Sequence, residues 1–290
     1  MVTATQKDKA EKFLQYHLDE EILVLLNTWD KGTSKLVEAC GYKAIATTSM
    51  GVAATMGYPD CQVMQLEELL PVLSGIVQAV QLPVTVDFEA GYGNTLEEIL
   101  YSVKQAISTG IVGINIEDSV DMQPELTDEK LFCERISAIR ALSDSLGFHL
   151  VINARTDAFY TKSGTPQENL HTSIRRGNLY TEAGADCIFV QPVWDKETIA
   201  TLVKEIDAPV NILANPSNGG GLPPSVQELQ DLGVARLSMG SSVMKATLAL
   251  VRKIADSVRD AGSYELLMQA VLPIPQTVSA YKMAVGMKPE

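Results

Sequence analysis

Short apolar runs recur along the chain at near-regular intervals: Ile22–Leu26, Ala44–Thr48, Val84–Phe88, Gly113–Glu117, Leu150–Ala154, Cys187–Val190, Val210–Leu213 and Ala235–Met239. Runs of this length, bounded by glycine, proline or polar residues, read as buried parallel strands. Helical patterns separate them. Leu66–Val80 places Leu66, Leu69, Leu70, Leu73, Ile76, Val77 and Val80 on one face. Thr95-Leu96-Glu97-Glu98 has the form of a capping box opening a helix whose stripe is Ile99, Val103 and Ile107. Asp128–Leu146 and Glu168–Ala183 stop at Gly147 and Gly184, as glycine C-caps do. Asp195–Ile206 and Pro224–Leu232 follow, then a longer helix from Ser241 to about Arg259.

Eight strands alternating with helices predict an α/β fold, a (β/α)8 barrel of TIM type rather than an open sheet. No G-x-G-x-x-G follows the first strand, which argues against the dinucleotide-binding open sheet. The pattern starts near residue 21 and closes near 260 without a linker, so a single domain over 1–290 is expected. An amphipathic helix at 8–19 precedes it, and a helical tail at 264–290 follows, interrupted at Leu272-Pro273-Ile274-Pro275.

Composition narrows the function classes. With 46% hydrophobic and 20% charged residues, the chain is an ordinary globular one. Its 23 Lys+Arg against 36 Asp+Glu leave a net charge of −13, which speaks against nucleic acid or an anionic membrane as partner. An anionic substrate would need positive charge supplied locally by its site. The four cysteines are scattered without a C-x-x-C pair, as in a reducing cytoplasm, and the three histidines form no zinc-type cluster. No apolar run is long enough for a membrane span, and Met1–Lys12 lacks the apolar core of a signal peptide. A cytoplasmic protein is expected.

Active sites of such barrels sit at the carboxyl ends of the strands. Those positions carry Asn27-Thr28-Trp29-Asp30, Thr48-Ser49-Met50-Gly51, Asp87-Phe88-Glu89-Ala90-Gly91-Tyr92-Gly93, Glu117-Asp118 and Asn153-Ala154-Arg155-Thr156-Asp157. Three adjacent strand ends deliver carboxylates, with one arginine beside them. Carboxylates crowd at a cost unless a cation relieves the repulsion, and an oxygen-only set favours Mg²⁺ or Mn²⁺. Asp87 and Glu89, two apart, would point the same way along a strand. For Asp30, Asp118 and Asp157, capping of the following helix or pairing with a lysine is the competing reading. Gly91 and Gly93 read as turn formers, and Tyr92 reads equally as a packing residue of that turn. Cys133, inside a helix pattern, reads as core.

These motifs, in this order, resemble the isocitrate lyase/phosphoenolpyruvate mutase superfamily. The resemblance runs from about residue 12 to 275 and includes Thr48–Ala54 followed by Gly57-Tyr58-Pro59-Asp60. It is nearest to small members with Asp-x-Glu-Ala-Gly-Tyr-Gly after the third strand. The resemblance implies Mg²⁺ or Mn²⁺ chelated by a 2-oxo acid, with Asp87 as the direct metal ligand. Glu89, Glu117 and Asp60 would hold metal-bound waters, and the longer Glu89 leaves direct ligation there open. It further implies that Thr48, Ser49 and Met50 bind the substrate carboxylate and that Arg155 pairs with substrate oxygens. A homodimer or homotetramer is implied, often exchanging the last barrel helix, here Ser241–Arg259.

The departures bear on the reaction. The lyases' Lys-[Lys/Arg]-Cys-Gly-His after the fourth strand is replaced by Ser119-Val120-Asp121-Met122-Gln123-Pro124-Glu125. The lysine and asparagine of the phosphonate-cleaving relatives are missing there too, and Gln191 stands near the lyases' glutamate after strand six. Metal, carboxylate pocket and Arg155 remain, enough to stabilise an enolate. The leading expectation is therefore a Mg²⁺-dependent lyase of a small 2-oxo or hydroxy-dicarboxylate, by decarboxylation or C–C cleavage. Phosphonopyruvate mutase or hydrolase chemistry and a 2-oxo acid binding protein with little turnover are the alternatives. Glu117, Asp118 and Tyr92 are candidate bases. Trp29, Gln191, Trp194 and Asn215 are candidates for lining the pocket. The loop Ser119–Leu126 is expected to close over it, and Asn215–Gly221 to be a turn.

Overall fold

The computed structural model describes residues 2–119, 125–160, 164–215, 222–272 and 281. The strands are β1 (Leu23–Leu25), β2 (Asn27–Thr28), β3 (Ile45–Thr47), β4 (Val84–Asp87), β5 (Gly113–Glu117), β6 (Val151–Thr156), β7 (Cys187–Val190), β8 (Val210–Leu213) and β9 (Arg236–Ser238). All pairings are parallel, in the order β1-β9-β8-β7-β6-β5-β4-β3-β2. Its two ends, β1 and β2, are halves of one segment separated only by Leu26, so the ladder returns to its start and closes. The predicted first strand is thus one stave in two pieces: Leu23–Leu25 pairs β9, while Asn27–Thr28 pairs β3. Eight staves and a TIM-like α/β barrel are what the alternation predicted.

The helices are α1 (Ala4–Leu18), α2 (Lys31–Ala39), α3 (Ser49–Thr55), α4 (Leu66–Ala79), α5 (Leu96–Ser108), α6 (Glu129–Ser145), α7 (Pro166–Glu182), α8 (Lys196–Glu205), α9 (Val226–Asp231), α10 (Ser242–Ala261) and α11 (Glu265–Ala270). Caps move several ends from their predicted places. Thr3 accepts from the Gln6 N–H and starts α1 at Ala4 rather than residue 8. The capping box Thr165/Glu168 starts α7 at Pro166, so Glu168 is a cap partner and not the first residue. The box read at Thr95/Glu98 is present. Ser49 and Met50 lie in the short helix α3, with Thr48 as its N-cap residue. Beyond α11 most of the predicted tail lies outside the described residues.

The layer between sheet and helices is apolar, with Leu73, Ile76, Ile99, Phe132, Ile139 and Ile199 fully buried. Inside the barrel the picture differs. Asn27, Thr85, Asn115, Asn153, Cys187, Asn211 and Arg236 are all buried, where branched aliphatic side chains usually fill the layers. Asn153 Nδ2 donates to Asn115 Oδ1 at 2.8 Å, and Asn211 and Ser238 bond each other. α10 stands apart, with Met244 as its buried residue. No helix among the described residues is long and apolar enough to cross a membrane.

Candidate active site

A cavity of about 170 Å³ opens on the barrel axis at the carboxyl ends of the strands. Thr48, Ser49 and Met50 form one wall, Asp60 and Asp87 a second, and Arg155, Gln191 and Asn215 a third. Eight sequence-predicted residues from five strand ends and their loops therefore converge. The structure adds Asn115, Tyr160, Phe189, Ser241 and Lys245, which strand-end reading missed, and Asn27, which it placed at the first strand end without a role. Asn27 is a knot rather than a ligand: Nδ2 donates to the Thr47 carbonyl at 2.7 Å, and Oδ1 accepts from the Met239 and Gly240 N–H groups. Lys245 was invisible because it lies on α10, one turn into a helix and away from any strand end.

Asp87 closes β4. Its Oδ2 accepts from the Ser49 hydroxyl at 2.9 Å, and its N–H donates to Thr47 Oγ1. Glu89 does not follow it by strand alternation, because β4 ends at Asp87 and Glu89 itself has φ +49°. Its two oxygens accept instead from the Gln62 N–H at 2.8 Å and the Tyr92 hydroxyl at 2.7 Å. Gln62 Oε1 in turn accepts from the Tyr92 N–H at 2.8 Å, locking the loop after Asp60 to the turn after β4. Cys61, Gln62, Glu89 and Tyr92 all hold positive φ, an arrangement that persists only where contacts over-determine it. Tyr92 faces a separate lateral groove of about 1050 Å³ that borders the start of α5. Gly91 takes φ +105° as expected of a turn former. Gly93 does not: a Cβ there would stand 2.7 Å from the Ile99 nitrogen, so close approach explains that glycine.

Arg155 is held by acids on two sides. Its Nε and Nη2 bind Asp157 at 2.7 and 2.9 Å, and Nη1 forms an ion pair with Glu117. With its amide oxygen toward the guanidinium, Gln191 also accepts from Arg155 Nη2 at 2.7 Å. Burial works against the charge of Arg155, but Asp157 and Glu117 outweigh it and hold the group protonated. Burial pushes Glu117 well above the ordinary carboxylate range, Arg155 opposes this, and Asp157, Asp87 and Glu89 add to the rise. Burial and Asp87 raise Asp60, and the same two causes push Glu89 up to about 7.

The competing reading, a cap or an ion pair, accounts for all three doubtful acids, with arginines in place of the expected lysines: Asp157 pairs with Arg155. Asp30 caps α2 through the Thr33 N–H. Asp118 is buried away from the cavity, accepting from Tyr180 and Arg176 and from the Asp157 N–H. Trp29 packs on Gly51, and Trp194 donates to the Leu213 carbonyl; neither is among the cavity-lining residues. Cys133 packs against the core as expected. Gln123 and the glycines 219–221 lie outside the described residues.

Among the described residues no three His, Cys, Asp or Glu side chains form a ready metal cage. The site nonetheless fits an oxygen-loving cation that keeps most of its waters. Asp60 Oδ1 is buried without a hydrogen-bond partner, and the charge of Asp87 disfavours ionisation of both Asp60 and Glu89. A buried carboxylate oxygen without a donor needs a cation, a proton or water.

Comparison with known proteins gives the same family. Residues 13–259 match the family model for phosphoenolpyruvate phosphomutase. An uncharacterized Mycobacterium tuberculosis protein is 34% identical, over 82% of this chain and 84% of its own. The 2-methylisocitrate lyase of Halalkalibacterium halodurans is 26% identical, over 90% and 85%. A solved Burkholderia cenocepacia J2315 protein, described as a lyase/mutase candidate, superposes with a TM-score of 0.87 at 30% identity, over 94% and 96%. By motif order, closed barrel and family match, this chain belongs to the isocitrate lyase/phosphoenolpyruvate mutase superfamily and is an enzyme of its lyase type.

Proposed function

We propose that this chain is a divalent-metal-dependent carbon–carbon lyase acting on a small 2-oxo or hydroxy-dicarboxylate. The observation that carries the reading is the pairing of the half-buried carboxylates Asp60 and Asp87, with buried Glu117 behind them, with the cations Arg155 and Lys245 around one small cavity. Asp87 would hold Mg²⁺ or Mn²⁺ directly, with Asp60, Glu89 and Glu117 as partners of its waters. Such an ion supplies Lewis-acid charge to the oxygen that becomes anionic as the bond breaks.

The chain's own residues do the rest. Ser49 donates both its hydroxyl and its N–H to Asp87 Oδ2, and a substrate carboxylate seated against Thr48–Met50 would take these donors over once a cation holds Asp87. Arg155 is held in plane by Asp157, so its donors are pre-aimed before substrate arrives. Lys245 offers a second ammonium for the far carboxylate of a dianion. Tyr92 is poorly placed as a base, since its hydroxyl donates to Glu89 outside the cavity. Asp118 is tied down by Arg176 and Tyr180. Decarboxylation of an oxaloacetate-like substrate makes the least demand on such a site, because CO₂ leaves without a general base.

The test is pyruvate release from oxaloacetate, 2-methylisocitrate and phosphonopyruvate, with phosphoenolpyruvate measured in the last, in Mg²⁺ and in EDTA. Turnover of a carboxylate substrate that EDTA abolishes and Asp87→Asn lowers by more than about 100-fold supports the reading. Metal-independent turnover overturns it. The family match keeps phosphonopyruvate chemistry as the second reading, and activity confined to that substrate selects it. Tight oxalate binding without turnover of any of the three selects a binding protein.

A further inference from the structure

Arg236 lies in β9 at the centre of the barrel and is fully buried. The groups it touches are uncharged. Nη2 donates to Asn115 Oδ1 at 3.0 Å, and Nη1 meets His17 Nε2 at 3.4 Å. The Phe13 ring lies 5.9 Å from its guanidinium carbon, and Nε has no hydrogen-bond partner. His17 is neutral, its pKa driven down to about 3 by burial and by Arg236. Because His17 Nδ1 contacts the Phe13 carbonyl at 2.8 Å, Nδ1 carries the proton and Nε2 presents a lone pair to Arg236. Cys187, beside it, is a neutral thiol pushed up to about 12 by burial. Burial lowers Arg236 itself only to about 10, so it is charged at neutral pH.

A buried charge without an ion-pair partner is expensive, and an aliphatic side chain could fill this layer instead. The opposite charge that does favour Arg236 is Asp87, one layer nearer the mouth. The bridge between them is Asn115, which neighbours Asp87 in the ladder, accepts from Arg236 and lines the axial cavity. Arg155, by contrast, is balanced by Asp157 and Glu117.

We propose that Arg236 is a positioning residue, a buried cation beneath the site whose uncompensated charge draws a small dianion into the axial cavity and orients its floor through Asn115. The inference rests on the axial cavity being the ligand site, and it deepens that reading by assigning part of its anion affinity to a residue no ligand touches. It also makes a prediction of opposite signs: a cation under the site favours the anion and opposes the metal.

The experiment titrates the full-length protein calorimetrically with Mn²⁺ alone, and with oxalate at saturating Mg²⁺. Arg236→Gln keeps a donor for Asn115 but is neutral; it should weaken oxalate and strengthen Mn²⁺, each by about tenfold. Arg236→Lys keeps the charge and should leave both within about threefold of the parent. A structural role alone would weaken both ligands together, and that result, or no change in either, overturns the inference while leaving the site reading intact. Should Arg236→Gln fail to give a cooperative melt, Cys187→Asp sets a carboxylate beside the guanidinium and should shift the two affinities in the same opposite directions. If the parent binds oxalate but not Mn²⁺, the metal reading fails and the oxalate arm alone decides Arg236. Binding of neither probe overturns both.

Discussion

His17 shows how a single buried group links the N-terminal helix to the barrel centre. It projects from α1, edge-on to Phe13 at 4.8 Å between ring centroids, and meets Arg236 from below. Burial and the neighbouring guanidinium hold its folded pKa at about 3, below its ordinary 6.5. The unfolded chain therefore binds a proton between those values that the folded chain refuses. The stabilisation this represents is complete above pH 6.5 and is lost as pH falls from 6.5 toward 3. The loss is on the order of 3–5 kcal/mol, the upper figure being an idealised limit. Urea denaturation of the parent and of His17→Gln from pH 7 to pH 4 should show a steeper acid loss in the parent. Parallel profiles would mean that folding leaves the His17 pKa unchanged, and a shallower acid loss in the parent that the fold favours the protonated ring.

At the scale of elements, the join between β5 and α6 is held from outside the barrel. Arg176, on α7, donates to Asp118 Oδ2 at 3.1 Å and to the Thr127 carbonyl at 3.0 Å, while Thr127 N–H returns to the Asp118 carbonyl at 2.7 Å. Tyr180, one turn on, donates to the same Asp118 oxygen at 2.7 Å. Arg176→Met would strand a buried carboxylate and should cost about 3–5 kcal/mol in urea denaturation. Tyr180→Phe removes one hydrogen bond and should cost about 1–3 kcal/mol. Equal losses would mean that Asp118 is protonated and the ion pair contributes little. Legibility divides along the same lines. The staves, the capping box at Thr95 and the converging strand-end residues could be read because period, caps and strand ends are local signals. Asp118 could not be assigned, since its partners lie 58 and 62 residues further on. Lys245 and Arg236 escaped for a related reason: one sits on a helix and one within a strand, and their meaning comes from closure of the barrel. Glu89 misled because a left-handed residue ends strand alternation, and nothing in its residue type announces that.

For the molecule as a whole, α10 poses the remaining question. Met244, Leu248, Val251, Ala255 and Val258 follow one another at spacings of four and three, the seam of a helix that packs on another helix. Met244 is buried at the base, yet Leu248 and Val251 are 53% and 57% exposed in the single chain. An isolated helix of 20 residues draws most of its stability from packing an apolar face, and among the described residues this face stays largely exposed beyond Met244. The same helix contributes Lys245 to the cavity wall, so its placement matters to the site as well as to stability. Exchange of this helix between copies, as the family resemblance implies, would cover the seam and fix Lys245 together. Light scattering at micromolar protein should accordingly give two or four times the 31.4 kDa chain mass. The double substitution Leu248→Asp with Val251→Asp places charge on the seam and should weaken association by at least about 100-fold. Activity should fall on dilution along with the assembly, because the loosened α10 no longer fixes Lys245. A fully active monomer in either protein would show that α10 needs no second copy, and that its apolar stripe serves something other than assembly.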